Sequence, residues 1–351
     1  MSKLPPQVTP RLLDNPYAVS SYNMCLKLEK DLQDEIDAGH DVGRSMIYCR
    51  ILGYLLLHAP SDKAFSVVRR EIDACEEKSD RLLQVGAIYY NHYIRAFRSN
   101  KGKVPAPSNH ASRPSFDTLA DMIKDLLEEA PQNHSGAKAN ALVRDKFRCP
   151  ISGIVDATSF LKNSELRQMV AREKLRLGNT QCAHIISESI NTNITQGSPK
   201  EQYAATVWTV LDRFGYRGLS DELNGPKVHR LDNVITMELY VHNYFDNLRL
   251  WLIATDEVNR YILEAVDPVL LGGLPQRVTF TTDKENLPVP NPTFLALHAS
   301  CAKVGHLSGA AEYIDKVFGD MEEIRVLSAD GASADVLEHA LLYASSRPIL
   351  V

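Results

Sequence analysis

Residues 100–114, NKGKVPAPSNHASRP, divide this chain, because a run combining proline, serine and basic residues cannot pack a core and reads as an exposed connection. A linker is therefore placed over 99–116, with a separate folding unit on either side. Before it, Tyr22, Cys25, Leu26, Leu28 and Leu32 recur at helical spacing, as do Ile47, Ile51, Leu52, Leu55 and Leu56 after a loop around Gly39. Further helices are expected over 62–75 and 79–98, giving a helical bundle over 15–98. After the linker, Asp117–Glu129 (DTLADMIKDLLEE) predicts a short amphipathic helix that starts at Ser115. Mixed structure follows: a turn at Cys149–Gly153, a polar helix near 163–177, an apolar strand at Cys182–Ile186 and a helix over 201–214. Asp232–Met237 reads as a second strand entering a helix near Glu238, 247–285 as further strands, and Pro292–Val317 as helix again. The expected fold class is α+β and predominantly helical: the bundle, a mixed unit over 117–290 and a helical extension over 291–351.

At 351 residues the chain can bury more than one core. No apolar run approaches the roughly 20 residues of a membrane span, and the start MSKLPPQVTP lacks the build of a signal peptide, so an intracellular protein, cytoplasmic or nuclear, is expected. Cys25, Cys49, Cys75, Cys149, Cys182 and Cys301 are scattered without a C-x-x-C pair, which argues for buried thiols rather than disulfides or a zinc ribbon. The formal charge of -5 argues against wholesale coating by nucleic acid. Between 141 and 180, however, Arg144, Lys146, Arg148, Lys162, Arg167, Arg172, Lys174 and Arg176 outnumber the carboxylates two to one. Such a stretch is either a solvated face or a track for a phosphate backbone.

Three short segments carry chemistry: Cys182-Ala183-His184-Ile185-Ile186, Asp232-Asn233, and His242-Asn243-Tyr244-Phe245-Asp246. His184 titrates near neutral pH and can take a proton from water. Asn233 by itself reads as an Asx turn or helix cap before Val234. His242 and Asp246, four apart, fall on one face of a helix, at a spacing that suits an ordinary hydrogen-bonded pair or two ligands of one metal. With the preceding Arg148-Cys149-Pro150-Ile151-Ser152-Gly153, the set resembles the HNH (ββα-metal) nuclease family. It is most similar to a fungal branch that reads R-C-x-x-[ST]-G, A-H-I-I, N-x-x-x-[ML] and H-x-x-F-D, over a motif core of 144–262.

The resemblance implies a metal-dependent endonuclease acting on phosphodiester bonds of nucleic acid, DNA in the first place. His184 matches the general base, Asn233 the asparagine that fixes its aim, and His242 and Asp246 the ligands of a divalent ion. Magnesium or manganese is expected, with zinc as an alternative. Arg167, Arg172, Lys174 and Arg176 would position phosphate. The pattern departs at Ala183, where many members place an aspartate or histidine that also binds the metal, although this branch shares the alanine. Two alternatives follow: a catalytically altered HNH fold that binds a protein partner through its N-terminal helices, or a scaffold turned to metal-dependent small-molecule chemistry. His298 and His306, eight apart on the C-terminal helix, read as core histidines, and a Cys/His nucleophile lacks an orienting third group.

Overall fold

The computed structural model describes residues 2–7, 10–13, 15–98, 131, 133–187, 190 and 199–323, without the side chains at 11, 199–202 and 318–323. The expected linker over 99–116 and the helix over 117–129 lie outside the described residues. The chain is mostly helical with small sheets, and no helix among the described residues is long and apolar enough to cross a membrane. It divides into two compact units. One takes the described residues of 1–98, 193–221 and 299–351, the other those of 99–192 and 222–298.

In the first unit Asn15 caps the helix Pro16–Asp37, its Oδ1 accepting from Ala18 N at 3.2 Å, with Pro16 supplying a preset first turn. The helix Ser45–His58 is buried almost all round from Met46 to Leu57, as a central helix must be. Glu29 and Arg50 meet inside this apolar packing at 2.6 Å. Ser61 Oγ caps Asp62–Asp73, and Ser79–Tyr89 runs into a π-helical turn over Tyr90–Ile94. The helix Pro199–Arg213 belongs to this unit as well.

The second unit holds all three small sheets among the described residues. Strands β1 (Val155–Asp156) and β2 (Leu177–Gly178) pair in parallel. Strands β3 (Thr180–His184) and β4 (Val234–Glu238) pair antiparallel, with Cys182 opposite Thr236 and His184 opposite Val234. Strands β5 (Leu250–Ala254), β6 (Arg260–Ala265) and β7 (Arg277–Thr279) form an antiparallel meander. Asparagines and aspartates place the helices: Asn133 caps His134–Arg144, Asp156 caps Ala157–Lys162 and Asn163 caps Ser164–Glu173. Asp156 also accepts from Thr180 Oγ1 at 2.6 Å, which ties the start of β3 to β1.

The core under β3 and β4 joins Ala137 and Ala141 of the helix His134–Arg144 to Phe147, Val155, Leu166, Cys182 and Val234. Arg144, in the basic stretch, is no part of a phosphate track. Its guanidinium is fully buried, clamped by both Asp145 oxygens and by the carbonyls of Leu231 and Val234. Asp145 completes the bolt by accepting from Thr236 N of β4 at 3.0 Å.

Candidate active site

β4 passes directly into the helix Leu239–Asp246, so β3, β4 and this helix make a strand, strand, helix unit. Side chains alternate across a strand, which puts Gln181 and Ala183 on one face of β3 and Cys182 and His184 on the other. The first face carries His242, whose Nδ1 donates to Gln181 Oε1 at 2.5 Å. The second meets the core that Ala137 and Ala141 build with Cys182.

His184, the half-buried last residue of β3, is the middle of three imidazoles. Its Nε2 stands 3.1 Å from Nδ1 of His229, and the ring of His134 lies 5.7 Å from its own, centre to centre. His134 opens its helix, and buried His229 ends the 3-10 turn Gly225–His229. Burial, then the neighbouring imidazoles of His134, His229 and His242, push the His184 pKa well below the ordinary histidine value. The ring is thus held neutral, with a lone pair available for a proton. Neither His134 nor His229 was singled out from sequence, since each is a lone histidine outside any periodic or motif context.

Asn233 is completely buried, and all its side-chain hydrogen bonds go to main chain. Oδ1 accepts from Ile186 N at 2.9 Å, while Nδ2 donates to Ile186 O at 3.0 Å and to Val228 O at 2.9 Å. One amide thereby fastens the chain two residues beyond His184 to the chain one residue before His229. The side chain thus ties two separate segments together rather than capping a turn before Val234.

His242 and Asp246 share a helix face as their spacing expects, with Nε2 and Oδ2 3.2 Å apart. Because Gln181 takes the Nδ1 proton, a neutral His242 turns its Nε2 lone pair toward the carboxylate, the tautomer suited to ligation. These two donors fit an ion that keeps most of its own water, not a closed zinc cage. Among the described residues no group of three His, Cys, Asp or Glu side chains is arranged to hold a metal. Ala183, fully buried between Cys182 and His184, contributes only a methyl group to this strand. At the end of β3, His184 lies close enough to His242 for that imidazole to help lower its pKa. They share electrostatic influence but no hydrogen bond with one another.

Arg167, Arg172, Lys174 and Arg176 are all exposed, on the helix Ser164–Glu173 and the turn that leads into β2 and β3. His298 and His306 are buried in the helix Pro292–Ser308, which Gly309 separates from a further helix over Ala310–Glu323. All six cysteines are buried, and none forms a disulfide. Comparison of the chain with protein-family models, curated proteins and solved structures finds no match in any of the three.

Proposed function

We propose that β3, β4 and the following helix form an HNH-like site that hydrolyses phosphodiester bonds of nucleic acid with the help of a divalent ion. The observation that carries this reading is the Asn233 clamp on Ile186 and Val228, which does for His184 what the resemblance asks of the middle asparagine. With Nε2 of His184 engaged by His229, Nδ1 is the nitrogen left to accept the proton of an attacking water. The imidazolium so formed donates Nε2–H to His229 Nδ1, and His229 orients the base as the third group of a triad does. His242 Nε2 and Asp246 Oδ2 are the donors for a magnesium or manganese ion, whose chemistry is to steady charge on the phosphate and the leaving oxygen. The exposed Arg167, Arg172, Lys174 and Arg176 supply sites for the phosphate backbone.

Nicking of supercoiled plasmid in magnesium or manganese tests the reading. Cleavage by the native chain should fall about 100-fold or more in His184→Ala, the scale of a lost general base. Equal cleavage by both proteins, or none with either metal, overturns it.

Ala183 favours one second reading, a catalytically altered HNH-like fold that binds rather than cuts. Its partner would dock on the N-terminal helices, where Leu13 and Tyr17 are 61% and 73% exposed. That reading expects no cleavage, no change in thermal midpoint on adding metal, and retention of a partner by residues 15–98.

A further inference from the structure

A cleft in the second unit holds none of the histidines above. Its volume is about 610 Å³, within the roughly 300–1,000 Å³ that small-molecule sites occupy. Three segments enclose it: the turn after the helix His134–Arg144, the helix Ser164–Glu173 through Leu166 and Met169, and the stretch 279–287 after β7. The hydrolytic reading leaves the Arg148-Cys149-Pro150-Ile151-Ser152-Gly153 segment without a task, yet Arg148, Cys149, Pro150 and Gly153 all line this cleft.

The local backbone is shaped for the purpose. Lys146 and Phe147 have φ of +54° and +58°, two successive non-glycine residues in the left-handed region, which costs on the order of 1–2 kcal/mol each. Such strain persists where surrounding structure fixes it and is a reason to look for a ligand site. Here Phe147 turns into the core, while Lys146 stays exposed and reaches Asp283 across the cleft at 2.8 Å. Phe147, Leu166, Phe280 and Leu287, none more than 3% exposed, lie flush in an apolar floor with Met169 beside it.

Of the cations that line the cleft, Arg144 pairs with Asp145, Lys146 with Asp283 and Arg148 with Glu173, and Lys284 forms no ion pair among the described residues. Lys284 and the N–H groups of Arg148 that Glu173 does not use are what the cleft has to offer an anion. Arg148 touches Met169 Sδ and Glu173 Oε2 through Nη2, at 3.2 Å each, while its Nε is shielded from solvent and has no hydrogen-bond partner among the described residues. A shielded guanidinium N–H without an acceptor is costly, and an anion beside it removes that cost.

We propose that this cleft binds a small aromatic anion, its flat ring laid over the apolar floor and its phosphate or carboxylate on Arg148 and Lys284. The proposal does not depend on cleavage at His184, because the two sites share no residue. Nucleoside monophosphates and aromatic carboxylates present the same chemistry, and the experiment separates them.

Isothermal titration of the full chain would use AMP and UMP in one arm and indole-3-acetate in the other, with adenosine and inorganic phosphate as half-ligands. At least one aromatic anion should bind with a Kd of about 1 mM or tighter, and about tenfold better than either half-ligand. Whichever arm binds names the source. Arg148→Met, which keeps the stem beside Met169, should weaken that binding about tenfold with the thermal midpoint unchanged, as expected for one charge-assisted hydrogen bond. Lys284→Met, at the partly exposed rim, should weaken it several-fold, so the proposal stays testable if the first variant folds poorly. His184→Ala should bind as the native protein does. No saturable binding by any aromatic anion, binding equally good for phosphate alone, or full affinity in both cleft variants would overturn the proposal.

Discussion

Asn233 and His229 hold the surroundings of His184 by hydrogen bonds of different kinds, so single substitutions at each separate folding from any chemistry at that ring. Replacing Asn233 by Ala strands one main-chain N–H and two carbonyls in a dry site. The cost should reach about 3 kcal/mol or more, against about 1 kcal/mol for a residue that only caps a turn. Urea midpoints of the native and Asn233→Ala proteins measure the difference, and a loss near the smaller figure would return Asn233 to a capping role. His229 acts on the neighbouring ring rather than on the chain path. His229→Gln offers a carbonyl that can still accept from His184 Nε2–H, whereas His229→Leu offers nothing. Under the proposed function kcat should fall in the order native, Gln, Leu, by about tenfold or more at the last step, with KM little changed. Equal rates in the Gln and Leu variants would mean that the 3.1 Å contact merely fills space.

Elements show why part of this arrangement could be read in advance. β3, β4 and the helix Leu239–Asp246 announce themselves, since an apolar run, a strand with a helix start and a His/Asp pair at helical spacing are local patterns. The helix His134–Arg144 gives no such signal. Ser135, Gly136 and Asn140 are weak helix formers, and the segment is helical because Ala137 and Ala141 pack closely beneath the β3–β4 pair. His134 rides on that unread helix, and His229 on a 3-10 turn whose place is set by Asn233, so the imidazole cluster is a tertiary fact with no local trace. The same limit hid Arg144, a basic residue by sequence and a buried bolt by structure. In the first unit, the helices Pro16–Asp37 and Ser45–His58 are cross-linked by Glu29 and Arg50, only 11% and 6% exposed. Arg50→Met leaves a carboxylate buried without its partner and should cost about 3–5 kcal/mol. Glu29→Leu combined with Arg50→Met should recover most of that loss, because two apolar chains need no pairing. Thermal melts of the single and double variants measure the coupling. A double variant as unstable as the single would show that Glu29 matters chiefly for the Leu4 N–H that it also accepts.

Each unit of the molecule buries histidine in neutral form, and this sets how the whole protein responds to acid. Burial, and then the nearby Arg95, lowers His92 in the first unit to about 4. Burial lowers His298 in the second unit to about 4 as well, against smaller opposing effects of the Phe245 carbonyl and Asp246. His298 Nε2 donates to Phe245 O at 3.0 Å, its ring stacks on Phe245 at 3.7 Å, and its Nδ1 has no acceptor among the described residues, so a second proton there would sit uncompensated. A depressed histidine binds fewer protons folded than unfolded. Its stabilisation is therefore complete above the unfolded value near 6.5 and is lost as pH falls toward 4. For fully buried His298 the loss integrates to about 3 kcal/mol, with a slope approaching 1.4 kcal/mol per pH unit in mid-window. His184, lowered for the same leading reason, adds to the second unit in the same direction. Urea midpoints taken between pH 7 and 5 should thus decline before ordinary carboxylates begin to titrate. His298→Gln, which can still donate to the Phe245 carbonyl but cannot take up a proton, should flatten part of that decline. A curve level down to pH 5, or a slope untouched by that substitution, would mean that acid enters the fold somewhere other than its buried imidazoles.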